Sequence, residues 1–180
     1  MALMVKEEVA TLAGGCFWCT EAIFRRLKGV WSVVPGYVGH QGLTYEEVST
    51  GQTGAAEAIQ VTFDPSVINF ETLLDVFWKT HDPTTVNRQG ADVGTQYRSA
   101  IFYNTDEQNQ KALASKEELE ASHYYKNPIV TEIVPFTHFS NAEAYHKEYY
   151  EKNKNAPYCQ LIIDPKIKKL IELFPDIAGA

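Results

Sequence analysis

Cysteine is scarce in this chain. The 180 residues hold three, at positions 16, 19 and 159, too few and too oddly numbered for the disulfide framework of a secreted domain. In a reducing compartment such thiols are free or in chemical use. No apolar run of about 18 residues occurs. The first residues, Met1 to Ala13, lack the basic start, apolar stretch and small-residue cleavage site of a leader. A soluble, cytoplasmic protein is therefore expected. Positive charge is thin: 16 Lys and Arg against 23 Asp and Glu leave a net charge of -7, and no basic stripe forms. That balance argues against a nucleic acid or an anionic membrane as partner, and Lys166, Lys168 and Lys169 are expected to face water on a terminal helix. Linkers, repeats and low-complexity segments are absent, so one domain over 1–180 is expected, with 154–180 as a C-terminal tail. There is no second cysteine pair at zinc-site spacing, and the five histidines at 40, 81, 123, 138 and 146 are scattered. No metal site is expected.

What is present centres on Gly14-Gly15-Cys16-Phe17-Trp18-Cys19. Ahead of it Val9 to Ala13 is an apolar run of strand length; behind it Phe17, Trp18, Ala22, Ile23, Phe24 and Leu27 recur at helical spacing. Cys16 is thereby expected in the first turn of a helix. The glycine pair permits a tight turn, and the unpaired N–H groups and positive dipole end favour a thiolate. A buried structural cysteine is the plainer alternative, but it has no need of two glycines and two large aromatics.

The pattern beyond it predicts a helix ending near Lys28 with Gly29 as its cap, then a strand over Val30 to Val38 that bends or lies at an edge at Pro35-Gly36. Gly39 to Gly54 reads as a long loop with room for one helical turn. Glu57 to Asp64 alternates as a strand, and Asn69 caps a core helix over Phe70 to His81. Asp82 to Gln96 has no periodicity and is long for a connection, which favours a functional loop. Tyr97 to Tyr103 is a strand, a helix runs from Thr105 or Asp106 to about Ser122, and Ile129 to Val134 is another strand. Asn141 is expected to open a tyrosine-rich helix whose Tyr145, Tyr149 and Tyr150 serve packing. The chain then turns irregular through Pro157-Tyr158-Cys159 before a short helix after Asp164-Pro165. This order is that of a split βαβ unit, so the fold class is α+β, a two-layer sandwich with a ferredoxin-like core.

Cys16 needs a partner for chemistry. Nothing marks one of the histidines as the base of a cysteine hydrolase. Glu57 follows the small residues Thr53-Gly54-Ala55-Ala56, which let another group approach. Held against Phe17 and Trp18 it would be poorly solvated and able to give up a proton near neutral pH; otherwise it is an ordinary acid at a strand end. A general thiol-disulfide oxidoreductase built on Cys16 and Cys19, or a non-catalytic binding module that uses Phe17, Trp18 and the tyrosine loops, also suits these residues.

Four blocks in order, namely Gly14-Gly15-Cys16-Phe17-Trp18-Cys19, Thr44-Tyr45-Glu46-Glu47-Val48, Thr53-Gly54-Ala55-Ala56-Glu57-Ala58 and Asn87 to Ser99, resemble peptide methionine sulfoxide reductase A. The resemblance extends from about Val9 to Tyr158-Cys159. It implies that Cys16 is the nucleophile, that Phe17 and Trp18 receive the methyl group, that Glu57 protonates the sulfoxide oxygen, that Tyr45 and Tyr97 hold that oxygen, and that Asp92 lines the same site. The implied substrate is methionine S-sulfoxide, free or in oxidised proteins. The implied intermediate is a Cys16 sulfenic acid, condensed by a second thiol to a disulfide. No bound cofactor is implied, only an external dithiol such as thioredoxin, or dithiothreitol in vitro. The chain departs from the family's frequent histidines at Ala55 and Val93, from a cysteine of some members at Ser49, and from the Gly-rich tail of many members after Cys159. Cys159 and Cys19 are the candidates for the resolving thiol. Cys159 is preferred, because a helical turn seldom offers good disulfide geometry.

Overall fold

The computed structural model describes residues 4, 6–39 and 41–179, so the expectations touching the first three residues, Val5, His40 and Ala180 lie outside the described residues. Alternating apolar residues build a six-stranded sheet from β1 (Glu8–Gly14), β2 (Val30–Val38), β3 (Ala56–Phe63), β6 (Ser99–Tyr103), β7 (Glu132–Pro135) and β8 (Phe139–Asn141). Its order is β7-β6-β1-β3-β2-β8. The central four, β6-β1-β3-β2, pair antiparallel throughout, and with α1 (Phe17–Phe24) and α3 (Phe70–Thr80) they form the expected split βαβ core. Leu12, Ile59, Val61 and Phe63 point from the sheet to one face. There they meet Phe17, Ile23 and Phe24 of α1 and Leu73, Leu74 and Phe77 of α3 in the main core. Asn69 caps α3 as expected, its side chain accepting from Thr72 N at 2.8 Å, and Thr105 caps α4 (Asp106–Ala121).

The other face is small: Ala13, Ala56, Ala58 and Ala100 lie there with Val38 and Phe102, all buried. Small side chains suit a sheet that must curl inward. β7 and β8 stand at opposite edges, about 24 Å apart if flat at the usual strand spacing. Yet only residues 136–138 join them, a span reaching roughly 14 Å. The sheet therefore curls until its edges approach.

Several expectations are corrected. α1 stops at Phe24 instead of Lys28, because the chain tightens there and Leu27 is drawn into an isolated bridge with Ala178, although Gly29 does take the left-handed backbone (φ 90). β2 is an inner strand with a bulge near Val30, since β8 covers its far side. Asn141 ends that strand and opens no helix: Gly36, Tyr37 and Val38 pair with Asn141, Ser140 and Phe139, a contact about a hundred residues away that local propensity cannot reveal. The tyrosine-rich stretch holds only a 3-10 turn at Ala144–His146 and the short α5 (Tyr149–Lys152). The segment around Cys159 is helical, a π turn at Cys159–Ile163 continuing into α6 (Asp164–Leu173). Within the long loop lie α2 (Tyr45–Ser49), which is the expected helical turn, and within Asp82 to Gln96 a two-stranded hairpin of β4 (Arg88–Gln89) and β5 (Asp92–Val93). Tyr97 falls in a 3-10 turn, Thr95–Tyr97, before β6 begins.

A Cβ on Gly36 would lie 2.3 Å from the Phe139 ring and 2.4 Å from the Ser140 carbonyl oxygen, and the second neighbour is backbone. Gly36→Ala is therefore expected to cost about 1–3 kcal/mol by overpacking. Urea unfolding with a wild-type midpoint would show that β8 does not need this close approach.

Candidate active site

The turn between β1 and α1 is shaped by Gly15. Its φ of +92° suits glycine, and any Cβ there would meet the Gln89 side chain at 2.5 Å. Gln89 is buried and tied to Asp82, donating from Nε2 to the carbonyl oxygen and accepting from the N–H at Oε1, both at 2.9 Å. The hairpin is thus locked against the turn that carries Cys16. Cys16 is the N-cap of α1 rather than a first-turn residue, with φ -55° and ψ 124°, and it makes no side-chain cap. The cap comes from β3: Phe17 N donates to Glu57 Oε1 at 3.2 Å.

The seven residues proposed from sequence for nucleophile, oxygen and methyl sites, namely Cys16, Phe17, Trp18, Tyr45, Glu57, Asp92 and Tyr97, all line one cavity of about 210 Å³, joined by Tyr158. Glu57 is only 2% exposed. Burial, opposed by the Phe17 N–H and assisted by the Asp92 and Cys19 charges, pushes its carboxyl up to about 8, so it carries a proton at neutral pH. Burial, with Cys19 and Glu57 beside it, also pushes the Cys16 thiol well above its ordinary value. The expected thiolate is therefore not the resting form: burial outweighs the helix end. Burial raises the Tyr45 and Tyr97 phenols too, so both remain donors.

Cys19 and Cys159 stand below the cavity. Both are buried, in one cluster with Cys16, Ile163 and Ile167. Cys19 Sγ lies 3.5 Å from the Tyr158 hydroxyl, which donates onward to Asp92 Oδ2 at 3.0 Å. Hydrogen bonding with Cys16 lowers Cys19 to about 7 against the effect of burial, with help from the Lys166 charge, while burial raises Cys159. Among the described residues all three cysteines are free. No cluster of three or more His, Cys, Asp or Glu side chains there could hold a metal ion. No helix there is long and apolar enough to cross a membrane.

Sequence reasoning missed several residues that shape this cavity. Trp18 Nε1 donates to His146 Nδ1 at 3.0 Å, and burial keeps that imidazole neutral. Glu143 accepts from the Tyr37 hydroxyl at 3.2 Å, Tyr45 N at 3.2 Å and the Tyr145 hydroxyl at 3.1 Å. It thereby ties α2 to the segment after β8. Tyr149 stacks on the Trp18 indole at 3.7 Å and 7°, the packing role expected of it. Glu21, one turn after Trp18, accepts from Glu148 N at 2.7 Å and supports Glu148 in its left-handed conformation (φ 58). Burial, opposed by that N–H, pushes Glu21 up to about 7. The Trp-to-Glu spacing of three on a helix was the available signal for Glu21; nothing local marked His146 or Glu143.

A buried thiol beside a protonated carboxyl, with phenols aimed at the same small space, is equipment for moving an oxygen atom and its proton, the chemistry of a cysteine-dependent oxidoreductase. Comparison with known proteins narrows the class. The family model described as "Peptide methionine sulfoxide reductase" matches residues 8–176. A peptide methionine sulfoxide reductase MsrA of Sulfolobus acidocaldarius is 57% identical over 176 residues, covering 96% of this chain and 98% of that protein. Among solved structures, reduced Mxr1 from Saccharomyces cerevisiae superposes with a TM-score of 0.81 at 37% identity, covering 88% of this chain and 92% of that one. Mxr1 in complex with Trx2 gives a TM-score of 0.58 at 28% identity, with 83% and 88% covered. The chain belongs to the peptide methionine sulfoxide reductase A family, and it is an enzyme that reduces methionine sulfoxide at the expense of thiols.

Because Glu21 holds the segment that stacks on Trp18, Glu21→Ala is expected to raise KM for methionine sulfoxide roughly tenfold by loosening that wall. Glu21→Gln keeps the acceptor and should remain within about threefold. Steady-state kinetics with both variants checks this, and an unchanged KM in the alanine variant would remove Glu21 from the positioning role.

Proposed function

We propose that Cys16 is the nucleophile, Glu57 the acid and Tyr45 with Tyr97 the donors that hold the sulfoxide oxygen, while Phe17 and Trp18 enclose the methyl group and Asp92 orders the cavity through Tyr158. The observation that carries this reading is the buried Glu57 carboxyl, raised to about 8, sharing one small cavity with Cys16 and both phenols. A sulfoxide oxygen is a strong acceptor but a poor leaving group, so its departure from methionine needs a proton in place. Cys16 Sγ attacks the sulfur as Glu57 protonates the oxygen. The oxygen then moves from that sulfur to Cys16 as the sulfur–sulfur bond formed in the attack breaks, leaving a Cys16 sulfenic acid; methionine departs, and the proton of the Cys16 thiol replaces the one Glu57 gave. Two electrons pass from Cys16 to the methionine sulfur, and the handedness of the slot selects the S-sulfoxide.

Cys19 is our choice for the resolving thiol in place of Cys159. Cys16 lies outside the helix proper, so a 16–19 disulfide needs no helical turn unwound, and this removes the objection raised by sequence spacing. Cys19 also titrates near 7, whereas Cys159 is raised and buried beyond it. Its attack on the Cys16 sulfenic acid expels water and forms the disulfide. The complex of the related Mxr1 with Trx2 supports a thioredoxin-like dithiol as the physiological reductant of this chain too. Two cysteines that must begin each cycle reduced favour the cytoplasm. The described residues act as one catalytic unit, with 154–180 contributing Tyr158 to the cavity.

Chiral chromatography of racemic N-acetyl-methionine sulfoxide, after incubation with enzyme and dithiothreitol, is expected to show loss of the S-sulfoxide alone. Survival of both epimers would sink the reading. Glu57→Gln should lose about 10²- to 10⁴-fold in the single-turnover rate. Because the acid must be protonated, the wild-type rate at saturating substrate should fall as pH rises through about 8, and this limb should vanish in Glu57→Gln. Alkylation and peptide mapping after one turnover without reductant should find the 16–19 link; a 16–159 link would return the resolving role to Cys159.

A further inference from the structure

A second cavity, of about 290 Å³, opens beside the first and shares Cys16, Asp92 and Tyr158 with it. One wall is the hairpin turn at Gly90 and Ala91; the other is Leu161, Ile162 and Pro165 of the C-terminal helix. Leu161 is 73% exposed and Ile162 38%, while Cys159 and Ile163 of the same π turn are buried. A π turn inserts an extra residue, and turns of this kind are frequent at functional sites. Here it carries two aliphatic side chains toward water at the mouth of the reactive cleft. The polar groups nearby are already engaged: the Gln89 amide with Asp82, and Asp92 Oδ2 with the Tyr158 hydroxyl. What the groove offers a ligand is an aliphatic wall, with the Lys166 side chain at one end.

We propose that this groove is a subsite for the residue next to methionine sulfoxide in a peptide, and that it selects a large apolar side chain. The proposal rests on the assignment of the first cavity to the sulfoxide. Its occupant follows from continuity: a chain whose sulfoxide reaches Cys16 passes over Asp92 and Tyr158, which border both spaces. Tyr158 then serves two faces, donating to Asp92 on one and flanking the neighbour's side chain on the other.

The test measures kcat/KM with dithiothreitol for N-acetyl-methionine sulfoxide and for short peptides bearing Gly or Leu immediately before or after the sulfoxide. Wild-type enzyme is expected to favour Leu over Gly on one side by about tenfold, mostly through KM, the size that partial burial of one aliphatic side chain provides. Ile162→Ser and Leu161→Ser should reduce that preference to within about twofold while leaving N-acetyl-methionine sulfoxide turnover unchanged. A wild-type enzyme indifferent to Leu, or a preference that survives both substitutions, overturns the proposal. So does a rise in KM for thioredoxin in the serine variants with peptide discrimination intact, which would give the groove to the reductant. No turnover of N-acetyl-methionine sulfoxide by wild-type enzyme would instead refute the assignment of the first cavity.

Discussion

The hydrogen bond from Phe17 N to Glu57 Oε1 is the constraint on which this architecture turns. A helix beginning with an N–H unpaired in the interior is costly, and Cys16 supplies no cap of its own. Glu57 caps α1 from a strand forty residues away. That contact ties the first turn of α1 to β3, and the carboxyl and the Cys16 thiol line one cavity. The bond by itself favours the charged carboxylate; burial outweighs it and maintains the proton.

The thiols follow the same logic. Cys16 is held as a protonated group by its surroundings, so idle oxidation in the absence of substrate is slowed, since the thiolate is the reactive form. The low member of the group is Cys19, one turn further along. Burial and hydrogen bonding thus hold the two sulfurs at different acidities, the difference that the proposed roles in attack and resolution require. The aromatic slot is registered in a comparable way, through His146 at one edge of Trp18, Tyr149 on its face, and Glu21 and Glu143 fastening the segment that carries them.

How much of this could be read from the chain depended on range in sequence. Local signals served well: the glycines before Cys16, the Asn69 cap, the alternation of Ile59, Val61 and Phe63, and the motif blocks that gathered seven residues into one cavity. Asn141 has the look of a cap because it stands ahead of a polar, tyrosine-rich stretch, whereas its conformation is set by pairing with Gly36 on the neighbouring strand β2. Cys159 reads as part of an irregular stretch because Pro157 breaks the local pattern; the helical segment that contains it is held by packing against α1. His146 and Glu143 carry no local signature, as their roles exist only once α2, α1 and the segment after β8 have met. The thiolate expectation failed on magnitude: a helix end is worth less than full burial.

The residues of the cavity run from Cys16 to Tyr158, nearly the length of the protein. During synthesis the reactive cysteine is made some 140 residues before its last wall, a delay of roughly ten to thirty seconds at ordinary elongation rates. For that interval Cys16 is an ordinary exposed thiol, and its nearest oxidation partner on the nascent chain is Cys19. Under the assignment made above, the accident open to the newborn chain is the same disulfide that the finished enzyme makes in each cycle. One reductant therefore restores both, and the spacing of two residues between these cysteines protects assembly as well as turnover.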